Sequence, residues 1–186
     1  VGGVGGVGEV GEVAGTAGTA GIGDPAVASA PVALWGFRPG WTSDPAPCGV
    51  LADPAPQPRA VRGLSASGSG GIVYVVATAG AHAGVDPGLL DGCGRWRLTS
   101  GHSAATVELV GAPEIPGAVT VGLSASITTA VESGTQTEAR AHTFVAYLPD
   151  STAAVTLIND PGSPKPPLSP RYAADLLVAT VSELRG

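Results

Sequence analysis

The clearest hydrophobic rhythm in the chain runs from Val119 to Glu132. Val119, Val121, Leu123, Ala125, Ile127 and Val131 fall on odd positions, and Thr120, Gly122, Ser124, Ser126, Thr128 and Glu132 on even ones. A period of two predicts a long strand with one buried and one polar face. Ser133-Gly134 makes a loop, and Glu138 to Leu148 returns as the antiparallel partner. Pro149-Asp150-Ser151 turns the chain again, and Ala153 to Asn159 forms a third strand. Three consecutive hairpin-connected strands make a meander.

Upstream, Arg62 to Ser67 alternates weakly, and Ser67 to Gly71 (SGSGG) reads as a turn. Ile72 to Thr78 (IVYVVAT) is β-branched and aromatic without charge, which predicts a central strand covered on both faces. Asp86 before Pro87 starts one short helical turn that stops at Gly92. Arg95 to Thr99 and Thr106 to Val110 are further strands, and a proline-containing connection (GAPEIPGA) leads into the meander.

The period changes to helical only near the end. Ala173, Leu176, Leu177, Thr180, Val181 and Leu184 form one apolar stripe. Ser169 is a suitable N-cap and Pro170 occupies the first helical position. Asp175 early and Arg185 late agree with the helix dipole. Such a stripe needs a partner, and one face of the sheet supplies it. The expected fold is α+β: an antiparallel meander with a C-terminal helix packed on one face.

Val1 to roughly Asp24 breaks every pattern. It is built of VGG, VGE and AGT triplets, with no apolar side chain larger than valine before Ile22. Residues 1–26 read as a disordered tail and 27–186 as one folded domain. Ala30 to Trp41 (APVALWGFRPGW) opens that domain with Trp35, Phe37 and Trp41, aromatics suited to closing a core edge.

Composition narrows function by exclusion. Only 13% of residues are charged and the net charge is −6. So acidic a surface, with one lysine, argues against binding nucleic acid or an anionic membrane electrostatically. No apolar run is long enough to span a bilayer.

Cys48 and Cys93 both sit beside glycine and turn-forming residues, outside apolar runs. Buried free cysteines usually replace small hydrophobes in core segments. These two look like loops tied together, so a Cys48–Cys93 disulfide is expected. A persistent disulfide implies an oxidising, extracytoplasmic location. Neither cysteine is in CxxC and the three histidines are scattered, so no metal site or other cofactor is expected.

Four fragments together carry a resemblance: ALWGFRPGWTSDPAPCGVLADP, RGLSASGSGGIVYVV, HTFVAYLPDSTAAVTLINDPGSP and YAADLLVATVSELRG. From about Val27 to Gly186 the chain resembles a family of small exported mycobacterial proteins of unknown function, many of them lipoproteins. These are similar in turn to the extracellular sensor domains of mycobacterial receptor Ser/Thr kinases. The resemblance implies an α+β domain with a cleft and disulfide support. Sensor domains of this kind carry two disulfides, and here at most one can form. The family has no catalytic motif to carry over, and the repetitive N-terminus departs from its pattern.

Recognisable chemistry is sparse. The SGSGG run lacks the first glycine and following helix of a nucleophile elbow, and the lysine of a phosphate-binding loop. Strand alternation sends Arg95 and Arg97 to one face and Trp96 to the other. Paired arginines suit a carboxylate or phosphate ligand, or acidic groups of the same protein. Trp41, Arg95, Trp96 and His102 are the candidates for lining a cleft. The leading expectation is a non-enzymatic, exported cell-envelope domain, sensor-like, holding a small apolar or anionic molecule, a lipid or an envelope protein. Two other readings are a structural protein without a pocket and a small serine hydrolase using Ser103 or Ser69 with a histidine.

Overall fold

The computed structural model describes residues 29–159 and 163–186; the repeat segment, and with it the expected tail over 1–26, lies outside the described residues. Eight antiparallel strands form one sheet in the order β1-β4-β5-β6-β7-β8-β3-β2. They are β1 (Thr42–Asp44), β2 (Ala60–Gly68), β3 (Gly71–Ala79), β4 (Arg95–Ser100), β5 (Ser103–Val110), β6 (Val119–Ala130), β7 (Gln136–Leu148) and β8 (Ser151–Asn159). Among the described residues three helices accompany them: α1 (Pro31–Leu34), α2 (Pro87–Gly92) and α3 (Pro170–Arg185). A 3-10 helix spans Ala46–Leu51.

The meander is the middle of this sheet. β6, β7 and β8 pair in sequence, and β5 and β3 extend them on either side. β3 is an interior strand one place from the β2 edge, and both of its faces are covered as expected: Val73 and Val75 are buried on one, Val76 and Thr78 on the other, while Ile72 at its start is exposed. An apolar run reports burial without reporting its position in the sheet.

Cross-strand register sorts the side chains onto two faces, because directly opposed residues point the same way. On the first face Trp96, Leu98, Val107, Leu123, Ala125, Val145 and Tyr147 are buried in the larger core. On the second face Phe144, Ala146, Leu148, Val155, Leu157, Val73 and Val75 form a smaller core beneath α3. The buried odd face of β6 therefore belongs to the first core. Val119 at its start and Val131 just past its end are exposed.

α3 covers only its own half of the second face, over β7, β8 and β3. Ser169 Oγ accepts from the Tyr172 amide at 3.4 Å, the cap that the sequence predicts. Ala173, Leu177 and Val181 are buried at four-residue spacing, but Leu184 is exposed because the stripe outruns the apolar sheet beneath. The Leu168 amide donates to the Gly70 carbonyl at 3.0 Å, tying the approach to α3 onto the β2–β3 turn.

Among the described residues no long helix covers the first face. Two short, irregular stretches do so: 30–56, with α1 and the 3-10 helix, and 80–94, which ends with α2. The second stretch crosses from β3 to β4, five places apart in the sheet, or about 24 Å at strand spacing. The Ala83 amide donates to the Pro54 carbonyl at 2.8 Å. Trp35 Nε1 donates to Thr143 Oγ1 at 3.0 Å, and Thr143 shares a 2.9 Å bond with Thr156. The Cys48–Cys93 disulfide then joins the two stretches covalently, as expected from their flanking sequences.

Two stability predictions follow from these contacts. Leu177→Ala removes a fully buried side chain from the α3 interface, and urea unfolding should read a loss of about 2–5 kcal/mol. Replacing both cysteines by serine opens a 45-residue loop and should cost about 2–4 kcal/mol in the same titration. A double variant as stable as the parent would mean that the cover holds without its covalent tie.

Candidate functional site

The residues proposed for a cleft do not converge. Trp96 is 1% exposed and sits in the larger core, its Nε1 buried without a hydrogen-bond partner. Arg95 and Arg97 are exposed on the opposite face, as alternation predicts. His102 is exposed at the tip of the β4–β5 hairpin, where its carbonyl accepts from the Ala130 amide at 2.9 Å. Arg95 begins the strand that ends at Ser100, and that run alone is about 17 Å at the usual rise.

The arginines are not a bare cationic patch. Register places Glu108 opposite Arg95 and Asp44 opposite Arg97. Among the described residues the one closed salt bridge is Arg59–Asp150, at 3.3 Å. The arginines thus have acidic neighbours without tight pairing. Around them the uncovered half of the second face carries Thr106, Ser124, Ser126 and Thr128.

Trp41 is the candidate that the structure places in a groove. The groove encloses about 430 Å³ and is lined by Trp41, Thr42, Ser43, Ala46, Gly49, Val50, Asp53 and Pro56. Its construction follows from the local sequence. The chain leaves β1 through a cis Asp44–Pro45 peptide and enters the 3-10 helix. Ser43 Oγ donates to the Ala46 carbonyl at 2.8 Å, closing the turn. Thr42 and Thr99 hydroxyls share a 3.0 Å bond that fixes the strand beside it. The half-buried Trp41 ring comes back against Gly49. A Cβ there would lie 3.0 Å from Trp41 Cζ3 and 2.8 Å from Ser43 Oγ, so glycine makes room for the ring. Gly49 follows Cys48, so the disulfide braces the floor of the groove.

Asp53 supplies the only charge among the described lining residues. Burial pushes its carboxyl above the ordinary aspartate value. Nothing in the residues around Asp53 set it apart from the other acids. Its spacing from Trp41, across a proline-flanked cysteine turn, was the one available hint.

A second cleft, of about 390 Å³, lies between the Gly68–Gly71 turn, the ends of β7 and β8, and Lys165. Asn159 Oδ1 is buried at its lining without a partner. The turn itself is a plain hairpin turn between β2 and β3, as its glycines suggest.

The serines and histidines show separate roles. Ser103 Oγ pairs with Thr129 Oγ1 at 3.1 Å. His82 directs Nε2 at the Leu148 carbonyl, at 2.5 Å, and its ring meets Tyr147 edge-on. Burial, with Arg140 second, lowers the His142 pKa below the ordinary histidine value.

The two shifted groups set opposite pH dependences. A raised carboxyl favours the fold while protonated, and that contribution is lost as pH rises above 3.8 through the folded-state value. A lowered imidazole favours the fold while neutral, and that contribution is lost as pH falls below 6.5. Asp53→Asn should therefore be at least as stable as the parent at neutral pH, the difference vanishing near pH 3. Thermal unfolding across that range would show it; a less stable variant at pH 7 would mean that the carboxylate has a partner in the fold.

The fold has a counterpart among solved structures. An X-ray structure of an uncharacterized protein from Mycobacterium smegmatis, described as the Rv0999 ortholog, matches with a TM-score of 0.58 and 26% identity. The match covers 81% of this chain and 79% of that one. No curated protein matches. Residues 21–185 match the family described as a domain of unknown function, DUF5642. That span takes in the sheet, both of its covers and the groove, so this chain belongs to the DUF5642 family.

Proposed function

We propose that this protein is a non-enzymatic, sensor-like binding domain of the cell envelope, acting outside the cytosol and holding a small ligand in the Trp41 groove. The observation that carries this reading is the coupling of groove and disulfide. Cys48 and Gly49 are consecutive, one bonded to Cys93 and the other supporting the Trp41 ring. A groove braced in this way is preorganised, so binding loses little free energy to ordering loops. The same disulfide favours an oxidising compartment.

Native mass spectrometry of the protein purified from its own host is the direct test. The expected result is a co-purifying small molecule or lipid, lost in Gly49→Ala, whose new methyl group would displace the Trp41 ring. Thiol labelling in intact cells should find Cys48 and Cys93 unreactive until reduced. Protein that carries nothing, together with free thiols in the cell, would overturn the reading. Labelling by a fluorophosphonate would replace it with the serine hydrolase.

A further inference from the structure

The groove has a chemical signature that differs from the anionic ligand suggested by the arginines. Among its described lining residues the one charge is the carboxylate of Asp53, and none is basic. An anionic ligand would meet repulsion there without a compensating donor of charge. Asp53 also has no salt bridge within the described structure, where the only closed pair is Arg59–Asp150. A half-buried carboxylate with no cation beside it is most readily completed by a cation brought from outside.

The remaining walls define what kind of cation. Trp41 presents an indole, the aromatic side chain that attracts cations best. Ala46, Val50 and Pro56 add apolar surface, and Val50 is 36% exposed. The two hydroxyls at the site are already engaged: Ser43 Oγ donates to the Ala46 carbonyl and Thr42 Oγ1 pairs with Thr99. That lining suits a cation whose body is alkyl and whose need for hydrogen bonds is small. A polyhydroxylated ligand would find few free partners. The chain's net charge of −6 raises the local concentration of any such cation.

We propose that the Trp41–Asp53 groove is a binding site for an alkylated ammonium group, with the indole and the carboxylate sharing the positive charge between them. This rests on the reading of the groove as a ligand site and names the ligand's chemistry. Trp41 supplies cation–π attraction and apolar contact, Asp53 supplies the counter-charge, and Gly49 holds the ring in place.

Choline and its uncharged isostere, in which carbon replaces the nitrogen, are the probes. Titrating each into the full disulfide-bonded chain, followed by amide and indole NMR shifts, separates charge from shape. Choline should shift the Trp41 indole and the Gly49 and Val50 amides, and bind at least about tenfold more tightly than the isostere. Asp53→Asn should weaken choline by about tenfold without loss of folding stability, a combination that a purely structural aspartate would not give. Trp41→Leu should abolish the difference between the two probes. If the isostere or a neutral sugar binds the groove as well as choline does, the cation inference fails while the binding reading stands. If none of these probes shifts the groove and no molecule co-purifies with the protein, both fail.

Discussion

The Cys48–Cys93 bond is the constraint on which the rest of the architecture depends. A sheet with apolar residues on both faces must be covered twice. α3 covers half of one face with a regular helix, whose backbone satisfies its own hydrogen bonds. The other cover is made of short irregular stretches carrying Val32, Trp35, Phe37 and Leu51 into the core. Such stretches have little local cooperativity and gain their order from the contacts they make. The disulfide links the two of them and removes much of the freedom that they would have in the unfolded chain.

The same bond connects stability to the groove. The residue after Cys48 has no side chain, and the space left is filled by the ring of Trp41. Any shift of the 3-10 helix would therefore move the floor of the groove. On the first face the packing is dense enough to hold Trp96 entirely inside. Trp96 on β4 and Trp41 just before β1 thus have different roles. Trp96 fills the core, while Trp41 lies at the margin with part of its ring left to line the groove. The unpaired Trp96 indole N–H is a cost that the core absorbs.

Much of the sheet was legible because alternation is a direct record of strand geometry. Val121, Leu123, Ala125 and Ile127 announce both the strand and its buried face. Ser169 and Pro170 announce the start of α3 with equal clarity. β1 was not legible, since three residues cannot show a period. The cover formed by 30–56 was equally hidden, because its aromatics follow no repeat and find their places through tertiary contacts alone. Alternation also placed Trp96 opposite Arg95 and Arg97, but it could not tell that one side would be covered and the other open. For the site, Trp41 was visible as an aromatic near a cysteine turn. Asp53 became distinguishable only when folding brought it to the same groove without a basic neighbour.

That arrangement has a further physical consequence. Burial disfavours the Asp53 carboxylate, so its charge opposes folding at neutral pH. A residue chosen for stability alone would be neutral at this position. The fold tolerates the charge because the disulfide-tied cover and the α3 interface stabilise it elsewhere. In the proposed cation site that unfavourable charge would be offset when a complementary group arrives. The covalent brace at Cys48 and the half-buried carboxylate of Asp53 thus meet in one groove, one fixing its floor and the other setting its charge.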